Sequence, residues 1–218
     1  MEGAAGHDRG GPVISVVIPT YNRNDLLLGR SLPSVYAQHH KELEIIVVCD
    51  GMSEESVEDL RQGISDPRVT VHNIPRQSYP DNGMNWGLYA VDARNFGLDH
   101  ATAEWVSMLD DDDEMTPDNI SSLLDMTRDS DTEFAYRQSM TYKNGVPTGQ
   151  LYGGWPPGDG NITHGAFLMR RDLGYRYALD CYSRGLNADA DLWTRMYQNA
   201  VRFRFSPGVI HHYHRSYP

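Results

Sequence analysis

Apolar residues in this chain fall into short dense runs, separated by stretches with a helical period. Residues 13–18 (VISVVI) form a nearly unbroken β-branched run, the mark of a strand buried on both faces. Residues 43–49 (LEIIVVC) and 105–109 (WVSML) read the same way, whereas 68–73 (RVTVHN) alternates and reads as a strand nearer an edge. Between them, residues 24–35, 54–62 and 88–100 are helix-like, the last preceded by a Pro/Gly/Asn loop. Strands alternating with helices predict βαβ units, hence an α/β fold with a central, mostly parallel sheet flanked by helices.

The pattern changes in the second half. Residues 144–160 hold six of the chain's twenty glycines and three of its prolines, with Trp155 among them, and are expected to form a long turn-rich loop of the kind that is usually functional. A short strand is expected at 166–169, a helix at 189–200 and a closing strand at 209–213. Residues 1–11 are Gly/Ala-rich without an apolar centre and read as a disordered tail.

The composition is that of a globular chain, 39% apolar and 22% charged over 218 residues, enough for one sizeable core. Acidic residues outnumber basic ones by 30 to 19, for a net charge of −11, which argues against nucleic acid as a partner. No run approaches the roughly 20 apolar residues of a membrane span. Cys49 and Cys181 form no CxxC or disulfide framework, so a reducing, cytoplasmic location is expected.

In open parallel sheets ligands bind beyond the carboxyl ends of the strands. Polar residues follow each apolar run there: Pro19, Thr20, Tyr21, Asn22 and Arg23 after the first, Asp50 after the second, and Asp110, Asp111, Asp112, Asp113 and Glu114 after the fourth. No GxGxxG or GxxxxGK[ST] loop is present to cradle phosphates. The acidic run supplies another route, because carboxylates this dense repel unless a cation sits among them, and Mg²⁺ or Mn²⁺ takes one or two carboxylates plus substrate phosphates. A solvated helix-start cluster is the alternative. Arg94 is a candidate for phosphate pairing or a surface ion pair. Asp189, Leu192, Trp193 and Met196 share one helical face, so Asp189 is expected to point inward as a helix cap or a general base, with Asp191 pointing roughly 200° round the helix. Strand alternation sets His212 and His214 on one face and His211 on the other.

Together these residues resemble the family 2 glycosyltransferases of the GT-A (nucleotide-diphospho-sugar transferase) fold. The opening strand with Pro19–Arg23, the second strand ending at Asp50-Gly51, Ala93-Arg94-Asn95, the DxD-like Asp110-x-Asp112 and the segment 188–195 (ADADLWTR) follow the family's order. The resemblance implies a single GT-A domain over 12–218, with a nucleotide-binding half (12–115) and an acceptor-binding half (116–218). It further implies an inverting transfer from a nucleotide-diphospho-sugar, a UDP-sugar being the expected donor, with Mn²⁺ or Mg²⁺ as cofactor. Asp189 takes the role of catalytic base; Pro19–Arg23, Asp50, Arg94, Asp110 and Asp111 contact the donor; Asp112 with His214 or His212 binds the metal; Trp155 and His164 face an unspecified acceptor. Cys49 and Ala188 replace acidic residues usual in the family. A degenerate sugar-nucleotide-binding module and a nucleotidyltransferase are the competing readings.

Overall fold

The computed structural model describes residues 13–77, 88–128, 131–158 and 160–215. The expected tail and the Pro/Gly/Asn loop before residue 88 lie outside these residues. Strand β1 (Ile14–Thr20) is buried throughout, as its unbroken apolar run requires. It pairs in parallel with β2 (Leu43–Asp50) on one side and β4 (Trp105–Met108) on the other, and β3 (Val69–Ile74) lies parallel outside β2 at the sheet edge. The helices α3 (Glu54–Gly63) and α4 (Val91–His100) make the crossovers. The stretch after β1 is helical in three pieces: α1 (Asn24–Leu26), a π-helical turn (Leu27–Ser31) and α2 (Leu32–Tyr36). Pro33 has no N–H to return to the preceding turn, and the helix widens just ahead of it.

Beyond β4 the sheet becomes mixed. Strand β8 (Phe167–Arg170) runs antiparallel to β4, β6 (Phe134–Lys143) antiparallel to β8, β9 (Phe203–Arg215) parallel to β6, and the short β5 (Glu114–Met115) antiparallel to β9. Helix α5 (Asn119–Thr127) follows β5, and α6 (Ala188–Gln198) precedes β9. The expected loop at 144–160 is corrected in its first half: β7 (Val146–Tyr152) pairs antiparallel with β6 through a two-residue turn in which Asn144 and Gly145 both take positive φ, 52° and 76°. Asn-Gly is the favoured pair for such a hairpin. Pro147 is tolerated because β7 pairs with β6 alone and is exposed over six of its seven residues.

Both faces of the sheet are covered. Val16 and Ile18 of β1 pack with Leu32, Val35, Val57, Leu60 and Ile120 on one side. Val17 packs with Val91, Leu98, Leu192, Trp193 and Met196 on the other. Helix α4 lies so near the sheet that a Cβ at Gly97 would stand 2.2 Å from a Val17 methyl.

Candidate active site

The carboxyl ends of β1, β2 and β4 and the end of β9 enclose a cleft of about 410 Å³. At one end the Tyr21 ring carries the Arg76 guanidinium 3.6 Å above its centroid, and Arg76 also pairs with Asp50 at 3.3 Å. Burial raises the Asp50 carboxyl, opposed by Arg76. Gly51 makes this end possible: it holds φ at 69°, and a Cβ there would fall 2.4 Å from that of Arg76. Asn22 lies outside the cleft lining; its φ of 52° turns the chain so that Arg23 faces the acidic residues.

The other end is the acidic turn after β4. Asp110 accepts from Arg94 at 2.8 Å and lies 3.2 Å from His164. Burial alone would raise its carboxyl, but His164 and Arg94 hold it far below the ordinary range. Asp111 accepts from the Thr20 hydroxyl at 2.8 Å and from Arg23 at 3.2 Å; Asp112 accepts from the same Arg23 nitrogen at 2.8 Å. The backbone of the turn is fixed separately, since Arg30 donates to the Asp112 carbonyl and the Ser31 hydroxyl is shared between the carbonyls of Asp110 and Asp113. Asp113 is buried; its Oδ1 accepts from the His214 backbone N–H at 2.7 Å, while its Oδ2 faces His211 Nε2 at 3.3 Å outside hydrogen-bond geometry. Burial raises the Asp113 carboxyl and lowers His211 to about 4, so neither readily carries charge.

The strand-alternation reading of the histidines matches the structure. His211 points into the core, and His212 and His214 both meet Glu114, at 3.5 and 2.9 Å. His214 lines the cleft, whereas His212 lies against Tyr142 outside it. His164 is 7% exposed, lies 3.2 Å from Asp110 and is bonded to the Tyr177 hydroxyl at 3.0 Å, in support of the cleft floor. Trp155 stands 57% exposed, edge-on to Tyr197 at 6.0 Å and away from the cleft lining.

On α6 the cap is Asn187, whose side chain accepts from the Ala190 N–H at 2.9 Å. The half-buried Asp189 accepts from the same N–H at 3.0 Å, and its charge is felt at Arg94 and Tyr177 in the cleft floor. The expected outward orientation of Asp191 is corrected. It is 1% exposed and held by Arg184 and Arg195 at 2.6 and 2.7 Å, because the turn Leu179–Arg184 covers that side of the helix.

Among the described residues no group of three or more His, Cys, Asp or Glu side chains is arranged to hold a metal. The cleft offers less than a cage. Asp112 is pushed up to about 6 by burial and by Asp110, against the pull of Arg23 and with a further push from Asp111, so a nearby cation would relieve it. With His214 across the cleft, this donor set suits a hard divalent ion that completes its shell with diphosphate and water. Sequence reasoning missed Arg76, Tyr89, Tyr213 and Arg215, all of which line the cleft. Arg76 follows β3 by two residues, so the strand-end rule could have found it; the two β9 residues reach the cleft only because the sheet curls.

A family model described as "Glycosyl transferase family 2" matches residues 15–177. The chain is 28% identical over 196 residues to the GalNAc(5)-diNAcBac-PP-undecaprenol beta-1,3-glucosyltransferase of Campylobacter jejuni, covering 86% of this chain and 60% of that protein. Relatives run longer still: the chain spans 37% of WcaA of Escherichia coli (strain K12). Among solved structures, S. aureus TarS 1-349 in complex with UDP-GlcNAc superposes with a TM-score of 0.67 at 18% identity, covering 94% of this chain and 59% of that one. A mannosyltransferase of Pyrobaculum calidifontis in complex with GDP-Man and Mn²⁺ gives 0.65 at 16% identity, covering 95% and 57%. The fold is that of GT-A glycosyltransferases.

Proposed function

The chain belongs to glycosyl transferase family 2, and from that premise we propose that it moves a sugar from a nucleotide-diphosphate donor, a UDP-sugar in the first instance, onto an acceptor hydroxyl. The observation that carries this reading is one continuous cleft running from Tyr21, Asp50 and Arg76 to Asp110–Asp112. Asp50 can accept an imide N–H of uracil, with Tyr21 or Arg76 covering the ring face. The acidic end lies where a diphosphate would follow. The complexes of TarS with UDP-GlcNAc and of the Pyrobaculum enzyme with GDP-Man support a nucleotide-sugar donor.

Asp189 is the proposed base: it takes the acceptor hydroxyl proton as that oxygen attacks C1 and the C1–diphosphate bond breaks, with inversion. Arg94 steadies Asp110 and adds positive charge to the floor beside the leaving group. A bound Mn²⁺ or Mg²⁺, held through Asp112 and His214 with His212 nearby, would supply Lewis-acid neutralisation of the diphosphate. An acceptor contact by Trp155, 57% exposed, is part of this reading. A cytoplasmic site of action belongs to the same proposal, supported by the two buried free thiols Cys49 and Cys181. No helix among the described residues is long and apolar enough to cross a membrane.

Titrating the protein with UDP and GDP, each with and without Mn²⁺, tests the reading. UDP binding that requires the metal is the expected result. Absence of nucleotide binding under every metal condition would sink it.

A further inference from the structure

Arg23 links two neighbouring carboxylates of the acidic turn through a single nitrogen, Nη1, at 3.2 Å from Asp111 and 2.8 Å from Asp112. The two acids are otherwise unlike. Both line the cleft, but Asp111 has the Thr20 hydroxyl at 2.8 Å and is 8% exposed, whereas Asp112 is 14% exposed. Arg23 itself is 36% exposed and sits on the loop that also carries Tyr21. A partly exposed cationic side chain thus rests against Asp112, the carboxylate assigned to the metal in the function proposed above.

Resting on the function proposed above, we infer that Arg23 is the resident cation of this turn: a divalent ion arriving with the donor displaces it from Asp112, and its guanidinium then pairs with the diphosphate. Two positive groups on one half-buried carboxylate repel each other, so ion and guanidinium compete for Asp112. The guanidinium fork matches phosphate oxygens as well as it matches carboxylate. The exchange needs no rebuilding of the site. The backbone of the turn is pinned by Arg30 and Ser31, and Asp111 keeps its bond to Thr20 when Arg23 leaves. Arg23 is in this sense a positioning residue before the donor binds and a phosphate contact afterwards.

Two measurements on the whole protein decide the matter: the Mn²⁺ concentration needed for half-maximal UDP binding, and UDP affinity at saturating Mn²⁺. In Arg23→Gln the half-maximal Mn²⁺ concentration should fall about tenfold, the scale of one charge-assisted hydrogen bond. UDP affinity at saturating Mn²⁺ should weaken severalfold, because the phosphate contact is lost. Arg23→Lys, which keeps the charge, should return the Mn²⁺ requirement most of the way to wild type. A merely structural role would not lower the metal requirement in one variant and restore it in the other. An unchanged or higher Mn²⁺ requirement in Arg23→Gln overturns the inference, as does an equal fall in Arg23→Lys. Unweakened UDP affinity at saturating metal removes the handover to phosphate. If wild type binds no nucleotide with Mn²⁺, the parent reading fails and this one with it; normal wild-type binding isolates failure to Arg23.

Discussion

Three carboxylates of similar pedigree behave differently because of what surrounds them. Asp189 shares the Ala190 N–H with the cap Asn187, and an asparagine keeps that acceptor, so Asp189→Asn should leave donor binding near wild type while cutting sugar transfer by about 10²-fold or more. Transfer to the acceptor must be the readout, because slow donor hydrolysis by water can survive the substitution; equal transfer rates would remove the base assignment. Asp112→Asn should abolish metal-dependent UDP binding with little change in thermal stability, checked by calorimetry in both modes. Asp191→Asn should act on stability. It leaves two guanidiniums without their buried counter-charge, and a loss of about 1–3 kcal/mol is expected, less than for a fully enclosed pair because both arginines are about a third exposed. A denaturation midpoint equal to wild type would show that the pair contributes nothing. At this scale the acidic residues were legible because each follows an apolar strand. Asp191 was not, since a helical wheel assumes one buried face and α6 is covered on a second side by the turn Leu179–Arg184.

The strands and helices of the first half follow the hydrophobic pattern closely, and β1, β2, α3 and β3 fall within a residue or two of expectation. Strands β6 and β7 did not announce themselves. β6 mixes buried and half-buried positions, and β7 is exposed with glycine and proline inside it, so neither shows a clean two-residue period. The Asn144–Gly145 pair was the readable signal. Helix α6 offers two tests. Asn187→Ala removes its cap and should cost about 1 kcal/mol, visible as a lower unfolding midpoint. Trp193, 1% exposed amid Phe134, Phe167 and His164, anchors the same helix. Trp193→Ala should cost about 3–5 kcal/mol and lower transfer as well, because Asp189 begins the helix it holds.

Across the whole molecule, Glu44 ties separate parts of the sheet together, accepting from the Ser15 hydroxyl and from both the N–H and hydroxyl of Thr102. Burial raises its carboxyl, but these bonds outweigh that and hold it below the ordinary value. A carboxyl depressed in the folded state contributes stability above its unfolded pKa and loses it as pH falls through the folded one. The difference in melting temperature between wild type and Glu44→Gln should therefore be present at neutral pH and shrink on acidification below about pH 4. A constant difference across that range would refute the coupling. The curled second half of the sheet, and with it the meeting of β9 and the acidic turn, was not legible, because it depends on pairings between strands far apart in the chain. The near approach of α4 to β1 has a consequence at this scale. Gly97 lies one helical turn from Arg94 on the same helix, so the close approach of Gly97 to Val17 sets how far the Arg94 guanidinium reaches toward Asp110. A single methyl at position 97 would tilt or lift the helix and move a positive charge away from Asp110; the spacing of two backbones thereby works as a gauge for the electrostatics of the cleft.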